Sequence, residues 1–359
     1  MRPYSRIENL LISDKVSGGK AKPFISVVIP VYNMAARIGR CLDSIVGQSF
    51  KDVEIIVVDD GSTDGTTDII KEYASRDTRV RFSRQENSGV SVARNLGIGI
   101  ASGIYLLFVD ADDEIEDGYL QNIADTAKST MADILVWGIK RCFENGSVEE
   151  WKPDLKGSYG RQAFLEAFPR DQYWHHVGLY GFVSNKLLKK SIIDRYNLRF
   201  DRTMILMEDY DFFLSSYAHC ESFYCFPETG YRYHIYGNTG GPVRYKDSLF
   251  GQLIGVQTKC ADLLKSEGAL TDTNERILND AIGGLSIASF LEMRKATYSK
   301  VKACIGTIWD NPYCIPALNR KETSKNLLKR LILKRNIPIT LLFVRAWRLY
   351  LSLRLRKKR

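Results

Sequence analysis

The chain has 359 residues, 45% of them hydrophobic and 26% charged. That composition excludes disordered and collagen-like classes and leaves room for one large α/β domain with an appendage, or for two modest domains. Of the net charge of +9, +13 sits in residues 320–359, where fourteen Lys and Arg face the single acid Glu322, so the rest of the chain carries −4. The basic character belongs to this tail, and the body of the chain needs no nucleic-acid partner.

Residues 1–22 are a polar extension without the apolar stretch of a cleaved secretory signal. The folded part opens at Phe24. ISVVIPV, Ile25 to Val31, is short, β-branched and bounded by Pro30 and Asn33, as suits a buried parallel strand. Ile38, Leu42, Ile45 and Val46 then follow helical spacing up to Gly47. A second strand, Glu54 to Val58, runs into Asp59, Asp60 and a Gly/Ser/Thr turn, and Ile69, Ile70 and Tyr73 lie on a second helix. Next come a strand from Val80 to Ser83, a helix from Val90 to Ile100, a strand from Ile104 to Val109, a helix from Gly118 to Thr130 and a strand from Ile134 to Ile139. Strand and helix alternating at this spacing predict a doubly wound parallel sheet with right-handed crossovers and ligands at the carboxyl ends of its strands. From Tyr245 to Thr307 the pattern is helical, with Leu249, Leu253, Val256 and Cys260 three and four residues apart.

The seven cysteines show no CxxC pair and no metal-ligand spacing, and read as reduced core thiols of a cytosolic protein. No apolar run approaches the ~20 residues of a spanning helix, so the chain is expected to stay on one side of the membrane.

Four segments carry chemistry. FVDADD, Phe108 to Asp113, runs a buried strand into three carboxylates. Either Asp110 and Asp112 hold a hard divalent ion, Mg²⁺ or Mn²⁺, completed by substrate phosphates, or the segment is a solvated acidic turn capping the next helix. VVDDGSTDG places Asp59 and Asp60 at another strand end, where a carboxylate can accept from a ribose hydroxyl or a base N–H; Ser62 and Asp64 read as turn and cap residues. The G-x-G-x-x-G turn of a nicotinamide enzyme is missing after the first strand, where the chain reads IPVYNMAARIGR. ENSGVSVARNLGI sets Asn87, Arg94 and Asn95 around a helix start, with Arg94 open to a phosphate or to an acid. MILMEDYDFFL puts Glu208 and Asp209 among apolar residues, which suits either a general base of raised pKa or acids complementing a helix N-terminus.

In order, SVVIPVYN, VEIIVVDDGSTDGT, ENSGVSVARNLGI, YLLFVDADD and MEDYDF resemble the motif series of family 2 glycosyltransferases with the GT-A fold, over Phe24 to about Thr239. The resemblance implies a doubly wound mixed sheet in a nucleotide-binding α/β/α sandwich, followed by a helical C-terminal region. The limits read as a catalytic domain over 23–244, a helical region over 245–319 and a basic amphipathic tail over 320–359. It further implies that Pro30 and Tyr32 border the nucleotide base, that Asp60 contacts uracil or ribose with Asn87 nearby, and that Arg94 supports the nucleotide side. Asp110 and Asp112 match the family's DxD, Asp112 as the more direct ligand of Mn²⁺ or Mg²⁺. Asp209 matches the general base, with Glu208 its neighbour. The pattern departs at YRYHIYGNT, where His234 stands in place of an expected Arg and Thr239 near an expected Ser, so the charge offered to the departing diphosphate falls to Arg232, to His234 or to neither.

The implied activity is inverting transfer from a nucleotide sugar, UDP-linked at family level, to a hydroxyl of a glycan or lipid-linked acceptor. The rival readings are a nucleotidyltransferase, which would want a Gly-rich basic loop after its first strand, and a non-catalytic glycan or nucleic-acid binding protein. In the tail, Arg345, Arg348, Ser352 and Arg356 share one helical face, and Leu342, Phe343, Ala346, Leu349, Tyr350 and Leu353 largely occupy the other. That pattern suits peripheral association with the inner face of the cytoplasmic membrane, and the alternatives are a helix docked on the catalytic domain or a nucleic-acid arm.

Overall fold

The computed structural model describes residues 22–175, 178–236, 249–291, 293, 296–320 and 327–356. They divide into two compact units, Met1–Met204 with Glu208–Gly237 and Ile205–Met207 with Asn238–Arg359. The expected boundaries at 22/23 and 244/245 adjoin or fall among residues outside the described set.

In the first unit the alternation read from the sequence is present: β1 (Ile25–Val31), α1 (Ile38–Val46), β2 (Val53–Asp59), α2 (Thr66–Arg76), β3 (Val80–Arg84), α3 (Val90–Ile100), β4 (Tyr105–Phe108), a short β5 (Glu114–Ile115) and α4 (Tyr119–Thr130). β1 and β2 are buried along their whole length, and each fully buried Ile or Val contributes about 1.5–3 kcal/mol relative to exposure. β1 pairs in parallel with β2 on one side and β4 on the other, and β2 pairs in parallel with β3. The resulting order 3-2-1-4 reverses direction between β1 and β4, which is where a doubly wound sheet opens a crevice at its carboxyl ends.

The sheet then turns mixed. β6 (Ile134–Val136), β9 (Gly157–Gly160), β10 (Lys186–Lys189) and β11 (Ser222–Cys225) complete an eight-stranded order β3-β2-β1-β4-β10-β6-β11-β9, with β10 antiparallel to both β4 and β6. A second, four-stranded sheet runs β5-β12-β7-β8, from β7 (Ile139–Phe143), β8 (Val148–Trp151) and β12 (Tyr231–Ile235). The single strand expected from Ile134 to Ile139 is therefore two strands in two sheets. The break falls at Trp137 and Gly138, where the Gly138 N–H donates to Glu228 O at 2.7 Å. A side chain at Gly138 would run into Trp151 O and stand 2.9 Å from Glu228 O, so the chain changes sheets where only glycine fits. The remaining helices of this unit are α5 (Arg161–Arg170), α6 (Lys190–Arg195) and α7 (Glu208–Tyr217).

The second unit is helical: α8 (Phe250–Ser266), α9 (Asp272–Leu291), α10 (Tyr298–Asp310), α11 (Cys314–Arg320), α12 (Leu327–Leu333) and α13 (Ile337–Arg356). Leu249, Leu253, Val256 and Cys260 are all buried, in keeping with their spacing. Leu328 and Ile332 of α12 and Val344 of α13 join one core with Phe250, Ile282, Phe290 and Ile308. Residues beyond 320 are thus partly built into this unit instead of forming a separate tail. All seven cysteines are buried thiols. Among the described residues no helix is long and apolar enough to cross a membrane.

Gly138→Ala is expected to lower stability by about 2 kcal/mol or more, the scale of forced overpacking, read as a fall in the urea midpoint; an unchanged midpoint would mean the sheet crossover relaxes without cost.

Candidate active site

The last β1–β4 pair is Val28 with Phe108. Beyond it the strands part, and Pro30, which has no N–H to donate, costs no ladder bond toward β4. The opening is a cleft of about 480 Å³ lined by Pro30, Val31, Tyr32, Met34, Asp60, Asn87, Gly89, Val90, Ala93, Asp110, Ala111 and Asp112. That volume suits a small-molecule ligand. Six residues expected from the sequence, Pro30, Tyr32, Asp60, Asn87, Asp110 and Asp112, meet here. Arg94, Glu208, Asp209 and His234 are not among the residues lining it, and Thr239 lies outside the described residues.

The wall after β2 is held by its own carboxylates. Asp59, fully buried, accepts from Ser62 N at 2.8 Å and from Thr67 Oγ1. Asp60 accepts from Gln85 Nε2 at 2.7 Å and from the backbone N–H groups of Ser88 and Gly89 at 2.8 Å, which fixes the loop carrying Asn87. Gly61 has φ +83°, and a Cβ there would stand 2.8 Å from Asn87 N, so this close approach requires glycine. Ser62 and Asp64 accept from Asn33 N and Ala35 N, tying the loop after β1 to the loop after β2.

At the end of β4 the three aspartates differ in environment. Asp113 is buried and accepts from Tyr231 Oη at 2.7 Å and His234 N at 2.8 Å; burial first, then Asp110, pushes its carboxyl well up. Tyr231 Oη also accepts from Asp110 N at 3.1 Å, so β12 braces the strand end. Asp112 is raised by burial and by Asp110. Two carboxylates that burden each other in an open cleft are a hard oxygen donor pair, matching an ion that takes its other ligands from phosphates and water. Among the described residues no group of three His, Cys, Asp or Glu side chains is arranged to hold a metal ion by itself.

Asp110 is also bound from behind. Arg94 of α3, 4% exposed, donates through Nη2 to Asp110 Oδ1 at 3.0 Å and through Nη1 to Asp209 Oδ1 at 2.5 Å and Glu208 Oε1 at 3.4 Å. Burial opposes its charge, but Asp209, Asp110 and Glu208 hold it protonated, and its pKa rises. Of the two partners open to Arg94, the structure supplies the acids. α7 is set against β4 by rings: Phe200 stacks on Phe212 at 4.1 Å and meets Phe108 edge-on at 5.3 Å. Asn95 exchanges two hydrogen bonds with the Phe200 backbone, 2.8 and 2.9 Å. A quarter of the Asp209 side chain stays accessible, yet its dense surroundings raise its pKa to about 7, with Arg94 opposing and Glu208 and Asp110 adding to the rise. An accessible carboxyl titrating near neutrality is equipped to take a proton.

His234 and Arg232 are spent elsewhere. Two residues apart on β12, they share a face and converge on Glu114 of the antiparallel neighbour β5. His234 Nε2 lies 2.7 Å from Glu114 Oε1, and Arg232 pairs with Glu114 and Glu116, each at 3.3 Å. Burial lowers the His234 pKa, against the pull of Glu114. Sequence reasoning missed the group on the other side of Asp112: Arg40 donates to Asp112 O at 2.9 Å and Tyr236 Oη at 2.6 Å, and the Arg37 guanidinium lies 3.8 Å over the Tyr236 ring. The available signal was two arginines in the turn and helix that follow β1.

Arg94→Met should cost about 3–5 kcal/mol near neutral pH, because three acids lose their cation. Without it Asp209 loses the charge that opposes its rise and the folded state binds more protons, so the deficit grows as pH rises. Urea unfolding at about pH 5 and about pH 8 reads this; an equal deficit at both would assign Arg94 a packing role alone.

Residues 26–196 match the family described as Glycosyl transferase family 2. The uncharacterized glycosyltransferase EpsJ of Bacillus subtilis (strain 168) is 30% identical over 227 residues, 63% of this chain and 65% of that protein. Glycosyltransferase GlyA of Streptococcus pneumoniae serotype 4 is 46% identical over 112 residues, 31% of this chain and 16% of that protein. The matches thus span less than two thirds of the length of both relatives. In architecture the chain is similar to S. aureus TarS 1–349, with a TM-score of 0.65 at 20% identity over 90% of this chain and 91% of that one. The five ordered sequence motifs, the mixed sheet with its crevice and these likenesses agree: residues 26–196 form a glycosyl transferase family 2 domain, and the architecture is similar to the GT-A fold of TarS.

Proposed function

We propose that this chain transfers a sugar from a nucleoside diphosphate sugar to an acceptor hydroxyl, with inversion, in the synthesis of a polysaccharide or other glycan, and that residues 23–244, which take in most of the first unit, are the catalytic domain. The observation that carries this reading is the Arg94 bridge, which joins the DxD carboxylate Asp110 to the Glu208–Asp209 pair beside a cleft of nucleotide size. UDP as the nucleotide follows TarS, whose structures include complexes with UDP and UDP-GlcNAc.

Pro30 and Tyr32 border the base, Asp60 and Asn87 face the base and ribose, and Asp110 and Asp112 stand at the diphosphate. Asp112 and Asp110 are the residues that would hold Mn²⁺ or Mg²⁺, which when bound offsets negative charge on the diphosphate. Asp209 takes the proton of the acceptor hydroxyl as its oxygen attacks the anomeric carbon. The bond to the phosphate oxygen breaks, and its electron pair leaves with the diphosphate. Glu208 and Arg94 keep Asp209 in place and set its basicity. Metal-dependent release of a nucleoside diphosphate across a panel of nucleotide sugars tests the assignment; silence across the whole panel would refute it. Asp209→Asn is expected to cut kcat by roughly a hundredfold or more while UDP affinity, measured by calorimetry, holds. Loss of both together would make Asp209 a nucleotide ligand or a structural acid.

The acceptor reading, a lipid-linked or surface-destined glycan met from the cytoplasmic side, draws on α13. Phe343 and Leu341 pack on the core of the second unit and Val344 is buried in it, so the expected apolar face is divided. Ile339, Leu342, Ala346, Leu349 and Tyr350 remain exposed on one stripe, Leu342 at 64%, Leu349 at 62% and Tyr350 at 52%. With no acid in α13 and Arg345 exposed beside the stripe, the surface suits an anionic membrane interface. Because deletion of the helix would tear Val344 from the core, the clean test is the triple variant Leu342→Ser, Leu349→Ser, Tyr350→Ser. It should sediment with anionic vesicles at least about tenfold less than the unaltered chain; equal sedimentation would leave α13 without an anchoring role.

A further inference from the structure

Four basic side chains stand near the Asp112 end of the cleft, and three of them are committed. Arg232 pairs with Glu114 and Glu116, and His234 with Glu114. Arg40 reaches Glu114 at 3.5 Å, Tyr236 Oη and Asp112 O. Arg37, in the turn just before α1, differs. Among the described residues no carboxylate pairs with it. Its guanidinium lies 3.8 Å over the Tyr236 ring, and its Nη1 is 4.0 Å from Sδ of Met34, which lines the cleft. The ring is itself held, since Tyr236 Oη accepts from Arg40 and donates to Asp112 O at 3.3 Å.

A guanidinium stacked by its face on an aromatic ring is fixed in orientation while its N–H groups, which lie in its plane, stay free to donate. Such a group, half-buried at the rim of a cleft whose floor carries Asp110 and Asp112, is prepared for an oxyanion with two or more acceptor oxygens. We propose that Arg37 binds the terminal phosphate of the nucleoside diphosphate and receives its charge as the glycosidic bond breaks, the part for which the sequence points to Arg232 or His234. This rests on the nucleoside diphosphate sugar reading. Tyr236 acts as a positioning residue for Arg37.

The test compares UDP with UMP, which lacks the terminal phosphate, by calorimetry on the full chain with Mn²⁺ present. Arg37→Met keeps the aliphatic stem and removes the charge. It should weaken UDP binding by roughly tenfold or more, the scale of a charge-assisted hydrogen bond, with UMP binding nearly unchanged, which also reports an intact fold. Arg37→Lys, with charge but no fork, should fall between. If the unaltered chain prefers UDP over UMP and Arg37→Met keeps that preference, or if Arg232→Gln abolishes it instead, the assignment to Arg37 is overturned while the nucleotide reading stands. If the unaltered chain binds neither nucleotide, or both alike, both readings fall together.

Discussion

A single buried guanidinium sets the terms of this site. Arg94 meets Asp110 at the end of β4 and Glu208 and Asp209 at the start of α7, segments far apart in the chain. Three carboxylates at such close quarters would repel one another and shed their charge. With the cation among them they form a connected network, and the end of the sheet and the first turn of α7 become one frame. The aromatic trio Phe108, Phe200 and Phe212 and the Asn95 bonds to the Phe200 backbone hold that frame from the apolar side. Arg94 Nε has no hydrogen-bond acceptor among the described residues, and the Phe200 ring, 5.3 Å from the guanidinium carbon, is its nearest compensation.

Around this frame the two sheets divide the work. The parallel half, β3-β2-β1-β4, lines the cleft with residues from the loops that follow its strands, as doubly wound sheets do. The four-stranded sheet supplies no lining residue but braces the acidic strand end: Tyr231 joins Asp113 to the Asp110 backbone, and the 232/234 face of β12 neutralises Glu114. The consequence is local. The basic residues nearest in sequence to the expected Arg are engaged by Glu114 and Glu116, and among the described residues the guanidinium near the cleft with no carboxylate partner is Arg37, in the turn after β1.

The parallel half was legible in the sequence because each strand is a continuous apolar run ending in polar or glycine-rich turns, and because five motifs recur in a family's order. FVDADD and MEDYDF announced their carboxylates, yet the partner of Arg94 was open between phosphate and acid until the end of β4 and the start of α7 could be seen together. The mixed half and the second sheet were less legible. KLLK, SFYC and GSYG are four residues each, too short for periodicity to show, and VEEW of β8 is mostly exposed and polar. The Ile134–Ile139 run reads as one strand since steric crowding at Gly138 comes from Trp151 and Glu228, residues no local window contains. In the same way α13 looks like a free amphipathic helix in sequence, because nothing in its own pattern separates an apolar residue buried against α10 from one facing outward.

The insertion of β10 between β4 and β6 has a consequence for how this sheet comes into being. Strands β1 to β4 lie within the first third of the chain and can assemble from near neighbours as soon as they exist. The outer edge of β4, the apolar stretch Tyr105 to Leu107, gains its partner only when synthesis has reached Lys186 to Lys189. Until then a nascent chain carries an unpaired hydrophobic strand edge at the centre of its future sheet, the feature most apt to recruit a second chain. Fragments ending after Asp112 and before β10 should thus be prone to aggregate even though they contain every lining residue of the cleft.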